Sequence, residues 1–69
     1  MKVIVDVKKI VVAMAEKGYD IKSLAEDSNV TFQAVFNVLS GKRRGTTKVL
    51  GNICRTLDIQ VNDVIEIEN

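Results

Sequence analysis

Four times in 69 residues a polar residue able to cap a helix precedes apolar residues at helical spacing, and in the first three a helix-ending signal then follows. In the first segment Val7, Ile10, Val11 and Met14 share a face between Asp6, which can cap it, and Gly18, which can end it. Asp20 opens the second, with Ser23 three residues on, Ile21, Leu24 and Ala25 on the apolar side and a stop at Ser28-Asn29. Asn29 tolerates the left-handed conformation and makes a hinge. Thr31 caps the third, which runs to about Leu39 before Ser40-Gly41. Thr46 or Thr47 caps the fourth, whose Leu50, Ile53, Cys54 and Leu57 fall at i, i+3, i+4 and i+7. A chain this short buries only about 60% of the surface its unfolded form exposes. The segments must therefore share one small core, and residues 1–69 are expected to form a single domain. With 46% hydrophobic and 28% charged residues and no proline, the composition is that of a soluble globule rather than a disordered tail.

The ends of the chain read differently. Val3-Ile4-Val5 is β-branched, and Val64-Ile65-Glu66-Ile67-Glu68 finishes in the alternation of a half-buried strand, after a possible helical turn over Val61-Asn62-Asp63-Val64. The two are expected to pair as an antiparallel ribbon packed on the helices, because so small a pair is marginal without cover. The alternative is that one strand pairs across a dimer interface.

Several chemistries are excluded early. There is no histidine and a single cysteine, Cys54, which leaves no transition-metal site, no Cys-His nucleophile pair and no internal disulfide. Cys54 lies on the apolar stripe of the fourth segment, where a structural thiol is expected. No phosphate-binding loop, nucleophile motif or placed carboxylate pair supports an enzyme. No apolar run reaches the roughly 18 residues that cross a bilayer, and Asp6 comes too early for a signal peptide. A reducing cytoplasm is the expected compartment, with no cofactor, membrane or small-molecule ligand.

The net charge of +1 conceals a pattern. Through Gly41, five lysines balance five acids, while Lys42, Arg43, Arg44, Lys48 and Arg55 then follow without an acid, and the rest of the chain is acidic. Concentrated charge of this kind suits a surface that touches phosphates, although solvated charge runs are also common.

The second and third segments, residues 21–40, read as a helix-turn-helix. Ala25 is small where the second helix must approach closely. From Val35, an advance of about 100° per residue places Leu39, Val38 and Phe32 inward, within about 60°, and Gln33, Asn37 and Ser40 outward. Phe36 falls on the border.

The phrases Met14-Ala-Glu-Lys-Gly-Tyr-Asp-Ile-Lys-Ser-Leu-Ala-Glu-Asp, Val30-Thr31, Val38-Leu39-Ser40-Gly41-Lys42 and Leu50-Gly-Asn-Ile-Cys-Arg-Thr-Leu-Asp-Ile resemble the Cro/C1-type (XRE-like) helix-turn-helix family. The resemblance covers about Val7 to Val64 and is nearest to the small single-domain, phage-repressor-like branch. It implies a mainly α, compact, five-helix lambda-repressor-like fold with short terminal strands. It also implies sequence-specific binding of double-stranded DNA by a transcriptional regulator, commonly a homodimer, in a bacterial cell and of phage, prophage or other mobile-element origin. Two departures stand out: Asn29 replaces the usual turn glycine, and Phe32 and Phe36 replace polar residues on the recognition helix.

The resemblance places base reading at Phe32, Gln33 and Asn37, and the outward projection agrees for Gln33 and Asn37, whose carboxamides can each grip adenine N6 and N7. For the phenylalanines three roles are open. Phe32 can complete the core with Phe36 partly covered beside it, either can touch a thymine methyl, or Phe36 can belong to a protein interface. Phosphate contacts are expected from Thr31 at the recognition-helix N-terminus, from Lys22 and Ser23 on the preceding helix, and from Ser40, Lys42, Arg43, Arg44, Thr46, Thr47 and Lys48. Arg55 serves either a phosphate or a surface ion pair. The leading function is a DNA-binding regulator, a repressor that reads two half-sites as a dimer. The alternative is a protein-interaction module, an antirepressor or co-regulator, that keeps the helix-turn-helix without strong DNA binding.

Overall fold

A computed structural model of the chain describes residues 2–41 and 46–68. In chain order it has β1 (Lys2–Val5), α1 (Val7–Lys17), α2 (Ile21–Ser28), α3 (Phe32–Leu39), α4 (Thr46–Leu57), α5 (Val61–Val64) and β2 (Ile65–Glu68). The described residues are thus mostly helical, with five helices and two terminal strands, as expected.

The caps follow from local chemistry. Asp6 accepts the Lys9 backbone N–H at 3.2 Å and starts α1. Asp20 and Ser23 form a reciprocal capping box, in which each side chain accepts the other's backbone N–H, at 2.8 and 3.1 Å. Thr31 Oγ1 accepts from the Ala34 N–H at 3.0 Å and starts α3. Thr46 and Thr47, expected as the cap of α4, are instead its first two residues.

Three helices close by one device. Gly18, Asn29 and Asp58 take left-handed conformations at the ends of α1, α2 and α4, with φ of 72°, 56° and 55°. The next residue in each case, Tyr19, Val30 or Ile59, donates its N–H five residues back, to Met14, Ala25 or Cys54, at 2.8–3.0 Å. This is the Schellman pattern, in which an apolar residue beyond the turn folds back on the helix. Tyr19, Val30 and Ile59 all pack on the edge of the core.

That core joins Ile10, Ala13 and Met14 of α1, Leu24 and Ala25 of α2, Val35 and Val38 of α3, Leu50, Ile53, Cys54 and Leu57 of α4, and Val64 of α5. Val11, expected on the buried stripe of α1, is instead 47% exposed. It lies about 100° round the helix from Ile10, and Ala13 takes the buried place on the other flank. One polar group enters the core: the Ser28 hydroxyl donates to Thr56 Oγ1 at 2.8 Å, and Thr56 donates onward to the Asn52 carbonyl at 3.1 Å, tying the end of α2 to α4. Burial pushes the Cys54 thiol above its ordinary pKa, in keeping with a packing role.

β1 and β2 pair antiparallel within the chain, with Lys2 opposite Glu68, Val3 opposite Ile67, Ile4 opposite Glu66 and Val5 opposite Ile65. The Asp6 N–H continues the ladder to the Val64 carbonyl at 2.7 Å. Val5 and Ile65 rest on the helical core, which supplies the cover that so short a ribbon needs. The helical turn expected over Val61–Val64 is α5, and Lys9 of α1 reaches it by donating to the Asp63 carbonyl.

Candidate nucleic-acid interface

The paired helices that carry the candidate site are α2 and α3, joined by residues 29–31. Leu24 and Ala25 of α2 and Val35 and Val38 of α3 are buried, and both helices also pack on α4. Ala25 is only 4% exposed in this junction, so a larger side chain there must displace a neighbour. Asn29 provides the bend between the helices without a glycine, since Asn visits left-handed backbone more readily than most residues.

With its apolar side so anchored, α3 turns Thr31, Phe32, Gln33, Phe36 and Ser40 outward as exposed residues, with Asn37 half-buried among them. Gln33 Nε2 donates to Asn37 Oδ1 at 2.9 Å, one helical turn away. The pair keeps an oxygen and an N–H on Gln33, and both N–H groups and a lone pair on Asn37, for an outside partner.

Phe32 does not complete the core. It is 54% exposed, and Phe36 is 44% exposed. The expectation took Val35 as the inward direction, whereas Val35 and Val38 are buried together, so the inward axis lies between them. Phe32 is then about 90° and Phe36 about 130° away from it. The two rings stand on the same outward side as the carboxamides.

The hydroxyls differ in what they can still donate. Among the described residues Thr31 is held only as an acceptor, by the Ala34 N–H, which leaves its proton for an outside acceptor at the N-terminus of α3. Ser23 is engaged with Asp20, and Ser40 Oγ donates back to the Phe36 carbonyl. Each of these serines must exchange an internal bond to meet a phosphate. Lys22, Thr47 and Lys48 are exposed in the first turns of α2 and α4. No acid stands in the first turn of α3 or α4 to complement the positive helix end, whereas α2 already has the Asp20 carboxylate at its cap. Arg55 is exposed in the last turn of α4, where the helix dipole already favours a cation. Lys42, Arg43 and Arg44 lie outside the described residues, as does the Thr46 side chain.

A family model for the Cro/C1-type HTH DNA-binding domain matches residues 9–69. The chain belongs to that family. The Cro/C1-type match takes in α2, α3 and the basic segment after them, and so agrees with the resemblance carried by the sequence motifs. No curated protein and no solved structure matches the chain.

Two features of the Cro/C1-type surface were absent from the sequence reading. One is the Gln33–Asn37 hydrogen bond, which their i, i+4 spacing permits. The other is the Tyr19 hydroxyl, which donates to Asp27 at 2.6 Å and braces the turn before α2 against that helix's far end. That hydrogen bond, ahead of desolvation and the Asp27 charge, raises the Tyr19 pKa.

Proposed function

We propose that this chain is a sequence-specific double-stranded-DNA-binding transcriptional regulator that acts as a repressor in the bacterial cytoplasm. In this reading residues 1–69 work as one domain. α3 enters the major groove with Gln33 and Asn37 against base edges, while Thr31, Lys22, Thr47 and Lys48 face phosphates together with Lys42, Arg43 and Arg44. The observation that carries the reading is the outward-facing, hydrogen-bonded carboxamide pair, Gln33 exposed and Asn37 half-buried, on the second helix of a helix-turn-helix anchored to the core by Val35 and Val38. One recognition helix offers few base contacts, so a homodimer reading two half-sites about one helical turn apart supplies the specificity.

The testing experiment titrates the protein against random duplex and against the DNA upstream of its own gene, at two salt concentrations, with mass read by light scattering. Tighter, salt-sensitive binding to the upstream DNA and the mass of a dimer are expected. A second reading, a protein-interaction module, is favoured by the exposure of Phe32 and Phe36. It requires negligible duplex affinity even at low salt.

A further inference from the structure

The outward side of α3 contains a repeat: Phe32-Gln33 and Phe36-Asn37 are the same pair of chemistries, a phenyl followed by a carboxamide, one helical turn apart. Both rings are exposed, and the two carboxamides are joined to each other. Each turn therefore presents an apolar surface beside a hydrogen-bonding one.

An A·T pair offers the complement. Its major-groove edge carries adenine N7 and N6–H, which fit a carboxamide, and then thymine O4 and the C5 methyl, an apolar knob that no other natural base pair presents. Four helix residues rise about 6 Å, and successive base pairs are spaced by about 3.4 Å. The two phenyl-carboxamide units are thus set nearly two base-pair steps apart, within one short run.

We propose that α3 selects a run of A·T pairs by reading thymine methyls with Phe32 and Phe36 while Gln33 and Asn37 read the adenines. The proposal rests on α3 being the major-groove reader. Both phenyls are exposed, and thymine methyls packed against them would take apolar surface out of water, so in this reading the rings act as specificity determinants.

The test begins with selection of duplexes from a random library by the intact chain. The selected duplex is then compared with one in which deoxyuridine replaces thymidine, which removes the methyl and leaves base pairing unchanged. A/T-rich selection is expected, with an affinity loss of about fourfold per contacted methyl. In Phe32→Ala and Phe36→Ala, which alter exposed positions and whose folding is checked by thermal melting, the thymine-uracil difference should shrink toward one.

Equal binding of the thymine and uracil duplexes by the unaltered protein overturns the proposal. If Gln33→Ala still weakens binding in that case, the major-groove reading survives it. A methyl effect undiminished in both phenylalanine variants, or selection of G·C-rich duplexes, also overturns it. Absence of duplex binding at any salt removes the proposal together with the reading beneath it.

Discussion

Gln33 and Asn37 are joined side chain to side chain at 2.9 Å, so the orientation of one carboxamide depends on the other. Removing either should therefore loosen its neighbour. Gln33→Ala and Asn37→Ala are each expected to weaken binding to a selected duplex by about 1–3 kcal/mol while leaving the melting temperature nearly unchanged. The double variant should lose less than the sum of the two, because the second substitution removes a group already unsettled by the first. Fluorescence anisotropy titrations of the four proteins check this.

Cations near the helix starts should behave differently. Arg43→Ala and Lys48→Ala are expected to weaken selected and random duplexes alike and to reduce the salt slope by about one each. Titrations over a series of salt concentrations separate this pattern from a loss of base reading.

The left-handed turn at Asn29 invites a stability test. Asn29→Gly is expected to hold or raise stability by up to about 1 kcal/mol, since glycine meets no side-chain penalty there. Asn29→Val should lower it, because a β-branched residue strains the same backbone. Urea melts of both variants provide the measurement.

At the junction of α2 with the core, Ala25→Leu should destabilise by about 1–3 kcal/mol through overpacking, and should weaken duplex binding by moving α3. A variant with normal stability and normal DNA affinity would contradict the close approach described for these helices.

The capping box at Asp20 predicts a pH dependence. The Ser23 backbone N–H, followed by its hydroxyl, lowers the Asp20 carboxyl below its ordinary pKa. Its contribution to stability is therefore present above the unfolded carboxyl's pKa and is lost as pH falls through the lowered folded value. Asp20→Asn, which cannot titrate, should flatten the acid side of the melting-temperature profile relative to the unaltered protein.

Much of this fold was legible because its determinants are local. Asp6, Asp20 and Thr31 cap their helices by bonds to residues three positions on, and such spacing is visible in a sequence. The ribbon was legible too, since the alternating tail had one available mate in Val3-Ile4-Val5. Phe32 was misplaced because its exposure depends on where the inward axis of α3 lies. That axis is set jointly by Val35 and Val38 against α2 and α4, a tertiary fact. Asp58 as a helix terminator is less legible, because aspartate takes left-handed backbone less regularly than glycine and the turn is completed by Ile59 folding back on the core. At the site, the outward carboxamides followed from periodicity, while the engagement of Ser23 and Ser40 depended on rotamers that periodicity does not specify.

The pairing of Lys2 with Glu68 has a kinetic corollary. It joins residues separated by almost the whole chain, and closing so large a loop before the intervening helices dock would forfeit conformational entropy with little contact in return. Folding should accordingly proceed from the α2, α3 and α4 cluster outward, with the ribbon zipping last from Asp6 and Val64 toward the ends. In reverse, the same strands are the first to part, so the domain can lose its β-structure transiently while the surface of α3 stays assembled.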